Sequence, residues 1–93
     1  MDNPKIDQFG NKRYYVNGAR HRTDGPAFEF ASGTKSWWLN DCRHRTDGPA
    51  VEYADGRTGW YLDGEVFFTF DEWLDENSYL THEQKVIMKL QYG

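Results

Sequence analysis

The stretch HRTDGPA runs from His21 to Ala27 and returns letter for letter from His44 to Ala50. The two copies lie 23 residues apart, and aligning Tyr14–Ser36 with Trp37–Gly59 gives 12 identities. Beyond the shared seven residues these are Asn17/Asn40, Arg20/Arg43, Glu29/Glu52, Ala31/Ala54 and Gly33/Gly56. The period extends outward in both directions. Gly10 falls one period before Gly33, and Trp60, Tyr61 and Leu62 fall one period after Trp37, Trp38 and Leu39. A third copy then fails, because Phe67 and Phe68 stand where His and Arg would recur. A fixed period of this length marks stacked supersecondary units, each too small to bury its apolar face alone. The apolar VFFTF (Val66–Phe70) is the kind of altered unit that caps a stack.

Each unit reads as two strands. AFEF and AVEY alternate and are rich in aromatic and β-branched residues. The turns ASGT and ADGR follow, and then the strands SWWLN and GWYLD. NGA, NDC and DGE close the next reversals, where both central residues tolerate positive φ. Within the motif, Asp-Gly-Pro is expected to reverse the chain, with Gly supplying permissive dihedrals and Pro a fixed φ. The expectation is an antiparallel meander of about five or six short strands over about residues 10–68.

The tail from 69 to 93 reads as helical. Thr69 with Glu72, and Thr81 with Gln84, have the spacing of capping boxes. Phe70, Trp73 and Leu74 form one apolar face, and Val86, Ile87 and Leu90 form another. Together with Tyr79 and Leu80 they are expected to cover one face of the sheet. The fold class is then α+β, a single domain over residues 1–93 made of the repeat sheet and two short C-terminal helices.

The 23-residue, two-strand, Gly- and aromatic-rich unit resembles a MORN-type repeat. The form with His-Arg-x-Asp-Gly-Pro-Ala, an alternating strand and a Trp-[Trp/Tyr]-Leu-[Asn/Asp] strand is similar to MORN-like variants of small bacteriophage and bacterial proteins. It covers roughly residues 10–68. The resemblance implies a scaffold or interaction surface with no catalytic residues to carry over. It also implies a phage-type accessory protein acting in the host cytoplasm on a host protein, with anti-phage defence components such as CRISPR effectors as the target class.

Composition narrows the function independently. The formal charge is −4, but residues 1–62 carry 9 basic and 8 acidic side chains and residues 63–93 carry 2 and 7. Phosphate contacts dominate nucleic-acid affinity, so this balance argues against direct nucleic-acid binding. The single cysteine, Cys42, forms neither an intrachain disulfide nor a metal cluster. No apolar run has the length of a membrane span. The start MDNPKIDQFG has no apolar leader core, which together with the lone thiol predicts a cytoplasmic location. No nucleophile elbow or phosphate-cradling loop is spelled out, so neither an enzyme nor a cofactor is expected.

Side chains alternate across a strand. Tyr14, Trp37 and Trp60, with Val16, Leu39 and Leu62, are expected to share the core face with Phe28, Phe30, Val51 and Tyr53. The opposite face then carries Tyr15, Trp38 and Tyr61 beside Glu29 and Glu52, a strip suited to a partner's Arg or Lys. Asp71, Glu72, Asp75 and Glu76 form a second candidate surface for a basic protein. The main alternative is a small anionic ligand, such as a nucleotide, on His21, Arg22, His44 and Arg45, provided both Arg are free of Asp partners. The structural reading of the motif has Arg22 and Asp24, and Arg45 and Asp47, pairing locally or between units, and both His bonded to backbone at the strand end. Metal binding by these His with Asp24 or Asp47 matches no ligand spacing. An open sheet edge offers a second copy a place to pair, so a homodimer is a further expectation.

Overall fold

The computed structural model describes residues 4–93; Met1–Asn3, at the start of the polar N-terminal stretch, lie outside them. Among the described residues, eleven short strands precede two helices. Seven strands form one antiparallel sheet, in the order β1 (Lys5–Ile6), β2 (Lys12–Arg13), β5 (Phe28–Glu29), β6 (Lys35–Ser36), β9 (Val51–Glu52), β10 (Thr58–Leu62) and β11 (Glu65–Phe67). Two further hairpins stand apart from it, β3 (Tyr15–Val16) with β4 (Ala19–Arg20), and β7 (Trp38–Leu39) with β8 (Cys42–Arg43). α1 spans Phe70–Glu76 and α2 spans His82–Tyr92.

The repeat is visible in this arrangement. β2 with β3, β6 with β7, and the continuous β10 are three versions of one long strand. Its first half pairs within the sheet and its second half turns into a hairpin. In the first two versions the strand breaks at Tyr14 and Trp37. There the amide donates to the carbonyl of Ala27 (2.8 Å) and Ala50 (2.7 Å) instead of to a ladder partner. The hairpin turns have the positive φ that their residues suggest: Asn17 and Gly18, Asn40 and Asp41, Asp63 and Gly64.

Cross-strand register decides which side chains share a face, and it reverses part of the sequence reading. Phe28 lies opposite both Arg13 and Ser36, and Ser36 lies opposite Val51. Directly paired residues point to the same side. Phe28 and Val51 therefore belong with Trp38, whose Nε1 donates to Ser36 Oγ at 2.8 Å, and not with Trp37. Glu29 and Glu52 move to the opposite side, with Trp37. Alternation within a strand cannot reveal this, because a one-residue change of register flips every side chain.

The core is concentrated at the C-terminal end. Trp60, Leu62, Phe67, Trp73, Leu74 and Met88 are buried together, with Phe70, Leu80 and Tyr92 packed against them. Thr69 caps α1 by accepting the Glu72 amide, and Thr81 with Gln84 forms a full capping box on α2. The face α2 turns inward is not the most apolar one. Met88 and Tyr92 pack on the sheet, while Val86, Ile87 and Leu90 remain exposed. Tyr92 prevails because its ring meets the Trp60 indole edge-on at 5.3 Å.

Candidate functional site

Nearly every letter of the repeated motif has a local task, and the task is the same in both copies. His21 Nδ1 accepts the Asn40 amide at 3.0 Å, and His44 Nδ1 accepts the Asp63 amide at 2.9 Å. Each imidazole thus receives the turn of the next hairpin. Because that nitrogen is an acceptor, the nearby Asp63 carboxylate at 3.3 Å is not the partner of a charged His44. Arg22 lies with its guanidinium carbon 4.0 Å from the ring centre of Tyr14, and Arg45 lies 3.9 Å from that of Trp37. Asp24 and Asp47 accept from the Arg Nε at 3.0 Å, and Pro26 and Pro49 carbonyls accept from the Arg Nη1 at 3.1 Å. Ala27 and Ala50 are fully buried.

The motif glycines serve differently from the sequence expectation. Gly25 and Gly48 are not among the positive-φ residues, so permissive dihedrals are not their role. A Cβ on Gly48 would lie 2.8 Å from the Arg45 guanidinium carbon, and one on Gly25 would lie 3.1 Å from that of Arg22. Glycine leaves room for the Arg to lie flat between backbone and aromatic ring.

Between the two motif loops lies a cavity of about 500 Å³, lined by Arg22, Thr23, Asp24, Trp37, His44, Arg45 and Asp47 among others. Its arginines are already engaged. Arg45 Nη1 also meets Glu52 at 2.9 Å, and Arg22 Nη1 lies 3.7 Å from Glu29. Hence the condition for an anion ladder, two Arg free of Asp partners, is not met. Arg22, His44 and Arg45 share the lining of this cavity as parts of the frame, and His21, which holds the Asn40 amide, is not among its lining residues.

The proposed strip of Tyr15, Trp38, Tyr61, Glu29 and Glu52 does not form as one surface. Glu29 and Glu52 lie on the other face with Arg22 and Arg45. Trp38 is only 8% exposed, held between Arg20 at 3.9 Å, Arg43 at 5.0 Å and the ring of Phe28. Tyr15 and Tyr61 are half-buried. Cations cover this aromatic row as well: Lys5 lies over Tyr15, Arg20 over Trp38, and Arg43 over both Trp38 and Tyr61.

Asp71, Glu72, Asp75 and Glu76 are all exposed on α1, and none of them has an ion-pair partner among the described residues. Glu72, Asp75 and Glu76 line a groove of about 440 Å³ with Glu65, Val66, Phe67 and Phe68. A neighbouring hollow adds Asp63, Ser78 and Tyr79. The Tyr79 hydroxyl donates to Asp63 at 2.6 Å, which holds the phenol above its ordinary pKa. Asn77 is a structural residue that the sequence reading does not single out. It is fully buried and ties the end of α1 to the motif by donating to the Thr46 carbonyl at 3.2 Å. An Asn straight after a helical apolar face was the available signal.

Cys42 is exposed at its turn. Among the described residues, no group of three or more His, Cys, Asp or Glu is placed to hold a metal ion. No described helix is long and apolar enough to cross a membrane. No protein-family model, curated protein or solved structure matches the chain.

Proposed function

We propose that this protein is a non-catalytic interaction module whose acidic C-terminal end binds a partner protein with a basic surface. One observation carries the reading. The acids of the two repeats, such as Asp24, Asp47 and Glu52, are matched to arginines, whereas those of α1, like the neighbouring Glu65, are exposed and unmatched among the described residues. Unmatched charge of one sign steers an oppositely charged partner. The two-strand, 23-residue unit supports the likeness to MORN-type repeats, which serve as scaffolds. The phage-type form of the motif favours an accessory protein that modulates or inhibits a host protein in the cytoplasm, anti-phage defence being the class to test first. The alternative, a small anionic ligand in the motif cavity, draws on its volume. It weighs less because both guanidinium groups are occupied.

The test is affinity capture from host lysate at low and high salt. Wild type is compared with a variant combining Asp71→Asn, Glu72→Gln, Asp75→Asn and Glu76→Gln. The expected result is one dominant partner that is released by salt and lost by the variant. A partner retained equally by the variant would reject the acidic surface. A nucleotide or other anion released on denaturing the purified protein would favour the alternative.

A further inference from the structure

Each hairpin of the stack offers its outer strand to the hairpin that follows. The Arg20 carbonyl accepts the Asp41 amide at 2.9 Å, and the Arg20 amide donates to the Asp41 carboxylate at 2.9 Å. One period on, the Arg43 carbonyl accepts the Gly64 amide at 2.9 Å. Val66 occupies the same place one period further, and among the described residues two helices, not a hairpin, follow it. Its register fixes where its backbone points. Leu62 and Glu65 flank a two-residue turn and pair, as do Trp60 and Phe67, so Val66 opposite Tyr61 directs its N–H and C=O away from β10. β11 is the edge of the sheet, and no backbone bond claims Val66 from outside among the described residues.

The space beside this edge is the groove floored by Val66 and Phe68 and rimmed by Glu65, Glu72, Asp75 and Glu76. Phe68 is 85% exposed and Val66 46%. Phe68 stands where the earlier units have Arg22 and Arg45, so the stack has exchanged a ring-covering cation for an exposed ring. No Lys or Arg occurs between Asp63 and Gln84 to balance the rim.

We infer that this groove takes an extended basic segment of a partner protein, which adds as a strand to β11. Its backbone pairs with Val66, its apolar side chains lie on Val66 and Phe68, and its Lys or Arg side chains meet the four rim acids. The inference rests on the proposed function and gives it a seat and a binding mode. A second copy of this chain fits less well. β11 has Val66 and Phe67 where the receiving hairpins have Arg and His. The last edge has therefore lost the imidazole that accepts the next turn's amide at both internal joints.

The probe is the peptide acetyl-Lys-Val-Lys-Val-Lys-Val-amide, titrated into the isotope-labelled full chain and followed by amide NMR. The Val66 and Phe68 signals should move, and exchange of the Val66 amide should slow. Backbone N-methylation of alternate peptide residues should weaken binding at least about tenfold, and so should combining Asp75→Lys with Glu76→Lys. These acids are exposed at the C-terminal end of α1, where added cations suit the helix. Shifts confined to the Tyr15–Trp38–Tyr61 face or the motif cavity would overturn the β11 seat while leaving a basic partner standing. No shifts at all, or equal shifts with glutamate in place of lysine, would overturn both. Val66 signals that change with protein concentration alone would identify a second copy as the occupant and overturn the inference.

Discussion

Tyr14, Trp37 and Trp60 hold the same position in successive units, yet they are covered by opposite chemistry. In the first two units the cover is the motif arginine, fixed by its own Asp and Pro and often by a Glu. In the last unit it is hydrocarbon. Phe70, Trp73 and Tyr92 surround Trp60 at ring separations of 5.1, 4.7 and 5.3 Å. The difference shows how a thin sheet is protected without a second layer. A planar cation hides a ring while its polar edge stays satisfied, so the unit can repeat. The helical cover buries more apolar area but ends the stack.

Removing a cover from each end tests the contrast. Trp73→Ala should have the largest effect, a loss of about 3–5 kcal/mol, because Trp73 is 0% exposed at the centre of the only helix-covered unit among the described residues. Chemical denaturation followed by Trp fluorescence checks it. Arg45→Ala should cost less, about 2 kcal/mol, since it exposes Trp37 and strands Glu52. Arg45→Lys should restore only part of this in the same assay, because an ammonium cannot fork to Asp47 and the Pro49 carbonyl while lying on the ring. If Arg45→Ala proves as costly as Trp73→Ala, the two covers are not different in kind.

His44→Phe copies into the second unit what Phe67 already is in the third. It leaves the Asp63 amide without its acceptor, and a loss of about 1–2 kcal/mol is expected by thermal melting. No loss would mean that the imidazole is not what joins the hairpins.

The smallest effects concern the acids at the joints. Arg20 Nε donates to Asp41 at 2.8 Å, whereas the equivalent Arg43 Nε is buried with no partner among the described residues, because Gly64 stands where Asp41 would recur. Gly64→Asp should therefore stabilise by up to about 1 kcal/mol, since Asp41 already tolerates the left-handed conformation this position requires. Equilibrium unfolding in urea checks the sign. Acidification gives the converse. The Arg20 side chain, and then its amide, hold the Asp41 carboxyl below its ordinary pKa, and the Asn11 side chain first among several donors holds Asp7 at about 2. Depressed carboxyl pKa values contribute stability that is present above the ordinary value and lost as pH falls through the depressed one. Melting temperature should fall from about pH 4 toward about pH 2, and less steeply in Asp7→Asn or Asp41→Asn.

Much of this was legible. The three hairpin turns announce themselves as Asn-Gly, Asn-Asp and Asp-Gly, and Thr81 with Gln84 announces the start of α2. The identical copies allowed Arg22 with Asp24 and Arg45 with Asp47 to pair locally or between units, and the structure has the local pairs. What could not be read was register. Phe28 and Val51 alternate equally well on either side, and only their pairing with Ser36 puts them beside Trp38 and sends Glu29 and Glu52 to the arginines. The inward face of α2 was misread for a related reason. Val86, Ile87 and Leu90 are the more apolar stripe, but Tyr92 has a ring to meet and they do not. The acids of α1 were legible as a surface, whereas the open edge of β11 beside them follows only from counting the stack to its end.

Amide hydrogen exchange on the free protein separates the two ends most directly. If the motif is a joint and the last edge is open, the Asn40 and Asp63 amides, held by His21 and His44, should exchange slowly, while the Val66 amide exchanges freely. A protected Val66, or Asn40 and Asp63 exchanging as fast as Val66, would contradict both the structural role of the repeated motif and the open edge.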